Sequence, residues 1–237
     1  MLACLAPAAL GLPLDWLAFL PVYLFGLGDG PINLWAGLRG LFGYFLVHDG
    51  PTHLFANVLG LALFGGALES RVGATQLFTL FIAASVAAAL VEGAFITDHA
   101  LALAGASGGV SGLMGALAGL TPGARLGLRL WPSRLRAGLP LVVLTALDVG
   151  ANLLTGAISL TAYAPFTESV AWRAHLTGFV FGLAAGVLLR RAHDLRPVSD
   201  EVRLTVGFAA AQGWRMNGLT LLVWLAALAA LAQSGSL

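Results

Sequence analysis

The sequence predicts an all-α membrane protein, and three observations carry that expectation. Of 237 residues, 59% are hydrophobic and 10% charged, and the mean hydropathy of +0.90 lies far above that of a water-soluble domain. Apolar runs of about 18 to 25 residues, the length that crosses hydrocarbon as a helix, recur from end to end. The alternating pattern of barrel strands is absent, and a bilayer admits only helices or closed barrels, because unpaired backbone groups cannot be left in oil. No polar stretch exceeds about 30 residues, too few for a soluble core, so residues 1–237 read as a single transmembrane domain.

Seven helices are expected, at about 2–20, 52–70, 75–95, 107–121, 138–160, 172–190 and 216–233. The first lacks a basic lead-in and a cleavage pattern, so a removed signal peptide is not expected. Gly26-Leu27-Gly28-Asp29-Gly30-Pro31 breaks the chain after it. Glu69 and Arg71 close the second helix as interfacial anchors. The fourth is short, running from Ser107 to the stop signal Thr121-Pro122-Gly123. Asp148 sits in mid-fifth helix with Asn152 one turn on, either a neutral, hydrogen-bonded core acid or part of a water path. Trp172 on the sixth and Trp224 on the seventh read as interface or lipid-facing aromatics.

All twelve basic residues are arginines. Ten of them (Arg71, Arg125, Arg129, Arg134, Arg136, Arg190, Arg191, Arg196, Arg203, Arg215) fall in or beside alternate connections, with Arg39 and Arg173 as exceptions. The excess of positive charge on cytoplasmic loops then places the N-terminus inside and the C-terminus outside. The second, fourth and sixth helices would all enter from the outer face, which puts His53, Ser107 and His175 in one layer. A net charge of +1 offers no footprint for nucleic acid, and Cys4 alone allows no internal disulfide or cysteine metal cluster. No cofactor is expected. The all-arginine, Ala/Gly/Leu-rich usage suggests a GC-rich prokaryotic genome.

Three short motifs could carry chemistry. In Gly105-Ala106-Ser107-Gly108, Ser107 falls in the first turn of a helix, where free N–H groups and the positive dipole end favour a developing negative charge. The flanking glycines leave the backbone open to a substrate carbonyl. Serine and glycine are also common at helix starts and tight helix contacts, so the motif alone favours packing over chemistry. Ser111, one turn on, would lie inside the hydrogen-bonded helix, which favours Ser107 as nucleophile. In Ala174-His175-Leu176-Thr177-Gly178, His175 stands above a stripe of Gly178, Gly182 and Gly186 that can meet Gly112, Gly115 and Gly119. Neutral imidazole could take the Ser107 proton and return it to a leaving amine; a structural buried histidine is the plainer alternative. His53 and Asn57, four apart, share a helix face, and Asn57 can donate to an oxyanion or clamp two helices. His48 reads as organising the loop or the interface, and His99 and His193 as solvated.

Taken in order and register, HxxxN, GxSG and AHxxG resemble the rhomboid family of intramembrane serine proteases over nearly the whole chain. The resemblance implies a rhomboid-like bundle of seven transmembrane helices, a six-helix core plus a C-terminal helix. It implies Ser107 as nucleophile, His175 as general base, and an oxyanion site built from Asn57, His53 and the Ser107 N–H, with no metal or cofactor. Substrates would be transmembrane proteins cut near the outer face. The loop at about 21–50 would be the family's partly embedded loop, with Trp35 and Arg39 in place of its adjacent Trp-Arg pair. Ser111 stands where some rhomboids set an aromatic ring against the histidine, and a Ser111 hydrogen bond to His175 is the expectation there. Two other readings are a catalytically silent, rhomboid-like protein that binds transmembrane clients, and a small transporter using His53, His175 and Asp148 as a proton relay. The transporter would call for inverted halves, and no internal repeat is evident. The expected setting is a multi-pass protein of a bacterial inner (plasma) membrane, embedded in the lipid bilayer.

Overall fold

Proline 21 decides how the chain enters the molecule. The residue before a proline is pushed out of the helical region, and Leu20 has φ −101° and ψ 112°. Residues 16–20 are therefore not the end of the helix expected at about 2–20. Phe19 instead exchanges backbone hydrogen bonds with Leu103, at 3.0 and 2.9 Å. The computed structural model describes residues 16–26, 32–48, 50–95, 102–129, 137–159, 171–192 and 203–207. The rest of that first helix, and the seventh at about 216–233, lie outside the described residues, as do His99, His193 and Trp224.

The segment expected as a loop is partly helical, with α1 at Pro21–Phe25, α2 at Leu34–Gly43 and a 3-10 turn at Tyr44–Leu46. Asn33 starts α2 by accepting the Ala36 N–H on its side-chain oxygen at 3.0 Å. The bare surface of Gly40 lets α2 lie on the backbone of Ala18 and Phe19; a Cβ there would come within 2.7 Å of the Ala18 carbonyl oxygen. Arg39 stacks on the Trp16 ring at 4.5 Å and donates from Nε to the Trp16 carbonyl at 2.7 Å. The partner of Arg39 is thus Trp16, whereas Trp35 is 72% exposed.

Pro51–Phe95 is a 45-residue apolar helical stretch, comprising α3 at Pro51–Gly60, a π turn at Leu61–Gly65 and α4 at Gly66–Phe95. A straight helix of that length would reach about 70 Å, more than twice the ~30 Å of hydrocarbon. Gly73 resolves the mismatch. Its φ of 82° and ψ of 166° belong to a region open essentially to glycine alone. The chain reverses there, so Leu68 before the glycine and Leu77 after it share one buried cluster with Leu113, Leu117 and Leu141.

The central element is α5, Ser107–Leu120, too short for a full crossing but apolar, and almost entirely buried. It is flanked by α4, by α6 at Leu141–Ser159 and by α7 at Trp172–Ala192. α5 and α7 meet glycine to glycine. A Cβ on Gly178, Gly182 or Gly186 would overlap the carbonyl oxygens of Gly108, Gly112 and Ala116 in turn, and Gly115 and Gly119 sit against Phe179 and Leu183. Those matched steps mean that the two helices run parallel, their backbones touching as small-residue membrane packing allows. α3 also runs with α5, since His53 lies against Gly105 and Gly60 against Val110.

One departure from the all-helical expectation lies at the opposite end from Ser107. β1 (Arg125–Arg129), β2 (Ala137–Pro140) and β3 (Arg203–Gly207) form a small sheet in the order β2-β1-β3, antiparallel on one side of β1 and parallel on the other. The fifth expected helix consequently starts at Leu141 rather than about 138. Arg-Leu-Gly-Leu-Arg alternates with the strand period over five residues, a signal too short to compete with the surrounding apolar runs. Three open strands cannot close a barrel, and the described residues are predominantly helical. Among the described residues, Arg71, Arg125, Arg129, Arg190, Arg191 and Arg203 gather at this end, while Arg39 and Arg173 lie toward the other.

Candidate active site

The Gly105-Ala106-Ser107-Gly108 turn is held from three sides. Gly105 has φ 110°, donates its N–H to the Tyr44 carbonyl at 3.0 Å and has the His53 ring against its α-carbon, 2.6 Å from where a Cβ would stand. A side chain here would strain the backbone and strike the ring. The Ala106 N–H is accepted by His48 Nε2 at 3.3 Å, and the His48 and His53 rings meet edge to face at 5.1 Å. Accepting at Nε2 requires neutral imidazole; burial, reinforced by nearby His53, pushes His48 down to about 4. Below, Tyr44 donates its hydroxyl to the Ser85 carbonyl at 2.7 Å. Buried away from water, that phenol is held well above its ordinary range.

With the turn fixed, α5 begins at Ser107, and the N–H groups of Ser107, Gly108 and Gly109 have no acceptor within the helix. They form a local anion-stabilising end. Parallel packing of α5 and α7 carries the imidazole to the hydroxyl: His175 Nε2 lies 2.7 Å from Ser107 Oγ. Both residues are half-buried. Ser111, one turn deeper, is buried.

The other ring nitrogen is also engaged. His175 Nδ1 lies 2.8 Å from Asn152 Oδ1, and Asn152 Nδ2 donates back to the Asp148 carbonyl at 2.9 Å. The expected Ser111 bond to His175 is therefore not formed, because both nitrogens are already taken. A carboxamide on α6 occupies that role, and the sequence showed it only as a polar residue one turn after Asp148 in an apolar helix. Glu92 was also missed. It is buried on α4, accepts the Ala174 N–H at 2.7 Å and lies 3.4 Å from Arg173, so it caps the start of the helix that carries His175. Trp172 packs over Gly156 and under Arg173, a wedge between α6 and α7 rather than a free lipid-facing ring.

Asn57 is buried on α3 and donates one N–H to the His53 carbonyl at 3.0 Å. It lies between His53, level with Gly105, and Gly60, level with Val110, which places it at the height of Ser107. Its second N–H remains for another acceptor. Asp148 carries one carboxyl oxygen buried without a partner among the described residues.

The family model described as Rhomboid domain matches residues 34–192, from the start of α2 to the end of α7. The chain belongs to the rhomboid family. No curated protein matches it. As a rhomboid it is an integral membrane protein. Pro51–Phe95, Leu141–Ser159 and Trp172–Ala192 are long and apolar enough to cross, beside the shorter Ser107–Leu120.

Proposed function

We propose that this rhomboid is an intramembrane serine endopeptidase in which Ser107 is the nucleophile and His175 the general base. The 2.7 Å approach of Ser107 Oγ to His175 Nε2 carries the reading. Neutral His175 takes the hydroxyl proton as Ser107 attacks the scissile carbonyl, then passes it to the leaving amine; water repeats the cycle on the acyl-enzyme. The oxyanion would be met by the Ser107 N–H, Asn57 and His53. No step in this scheme calls for a metal or cofactor.

The substrates are transmembrane proteins, because the dyad sits at the end of apolar helices with exposed lipid-facing residues such as Leu147, Leu154 and Val180 around them. With arginines gathered at the far end, the site faces outward from a bacterial inner membrane and the N-terminus is cytoplasmic. The silent client-binding alternative has no feature here that favours it, since Ser107 and His175 are both present and bonded. A single-pass reporter tagged at both ends and co-expressed in cells tests activity and sidedness together. Wild type should release the outer portion, and Ser107→Ala or His175→Ala should lower cleavage by at least about a thousandfold, as loss of a nucleophile or base does elsewhere. Undiminished cleavage by Ser107→Ala would refute the proposed chemistry, and a cut on the arginine side would refute the orientation.

A further inference from the structure

A serine and histidine dyad leaves one question open: what fixes the imidazole so that Nε2, not Nδ1, carries the free lone pair. Asn152 answers it. Its Oδ1 lies 2.8 Å from His175 Nδ1, and its Nδ2 is spent on the Asp148 carbonyl at 2.9 Å. That second bond determines the amide orientation: with nitrogen committed to a carbonyl, only oxygen can face the ring. A carbonyl oxygen cannot donate, so Nδ1 must bear the hydrogen and Nε2 must be the acceptor that faces Ser107. Asn152 is buried, and Trp172 wedged over Gly156 one turn further along α6 fixes that helix against α7.

We propose that Asn152 is a positioning residue, a third member held on α6, that sets the tautomer and ring orientation of His175 for proton transfer from Ser107. This deepens the protease reading and rests on it. Asn152 touches neither substrate nor the reacting atoms. When Nε2 accepts the proton, the Nδ1–H bond to Oδ1 shortens onto a cation, so the amide dipole also steadies the imidazolium.

The test compares Asn152→Leu, similar in size but without an acceptor, and Asn152→Asp, which keeps an acceptor at the same place. Protein labelled with nitrogen-15 histidine, in micelles, reports the tautomer directly, because protonated and unprotonated ring nitrogens resonate far apart. Wild type and Asn152→Asp should show His175 protonated at Nδ1, and Asn152→Leu a mixture. Cleavage kinetics should show kcat lower by about 10- to 100-fold in Asn152→Leu with KM little changed, and largely recovered in Asn152→Asp. Wild-type kcat and an unchanged Nδ1 signal in Asn152→Leu would overturn the inference. Should Asn152→Leu fail to fold, a tautomer mixture in folded Asn152→Asp would overturn it instead. If Ser107→Ala were as active as wild type, the protease reading would fall, yet the tautomer signal would still decide whether Asn152 orients the ring.

Discussion

His48 shows how much one side chain can settle without taking part in chemistry. It stands outside the three motifs, yet its Nε2 accepts the Ala106 N–H and its ring meets His53, so the turn before Ser107 is tied to the start of α3. Burial lowers its pKa from 6.5 to about 4 in the folded protein. The unfolded chain then binds more protons across that interval, so this residue's contribution is complete above pH 6.5 and is lost as pH falls toward 4. The midpoint of thermal unfolding in micelles should drop over that window in wild type, and less in His48→Gln; equal slopes would show that His48 does not titrate as described. At this scale the meeting of Ser107 and His175, 2.7 Å apart, was legible from the shared helix ends, and His53 lies against Gly105 in the same turn. Asn152 and Glu92 were not legible as partners. Each acts across 23 or more positions of sequence, onto a different helix, and nothing local announces such a bond.

Between elements, the contact that matters most is the α5 and α7 seam. It brings Ser107 and His175 together only because Gly112, Gly178 and Gly182 let carbonyl oxygens touch α-carbons. Gly182→Ala would drive a methyl group into the Gly112 carbonyl and push the helices apart, a cost of about 1–3 kcal/mol typical of overpacking. Its unfolding midpoint should fall and cleavage with it, while Gly150→Ala on α6, where a Cβ meets open space, should change neither. Equal stability of both variants would mean that the seam is looser than drawn. This seam was readable in sequence from glycines at four-residue spacing, as was the short α5. The first-loop helices and the small sheet were not, because α2 owes its position to backbone contacts with residues 17–19 and β1 to partners 9 to 15 positions away on one side and 78 on the other.

For the molecule as a whole, three parallel elements, α3, α5 and α7, present their starts at one end, and the turn at Gly73 sends the rest of α4 back antiparallel to them. Among the described residues, six of the eight arginines lie at the other end, with Arg39 and Arg173 the exceptions, an asymmetry that the spacing of charge along the chain already displayed. The membrane class followed from composition, since no soluble core needs this much apolar surface. What composition could not supply is the third dimension of the site: which of two serines meets the imidazole, and what holds the ring from behind. The most direct measurement is therefore the position of a covalent mark. Purified protein treated with a fluorophosphonate probe, digested and mapped by mass spectrometry should carry one adduct, on Ser107, absent from Ser107→Ala and strongly reduced in His175→Ala. An adduct on Ser111, or labelling that persists in Ser107→Ala, would contradict the account.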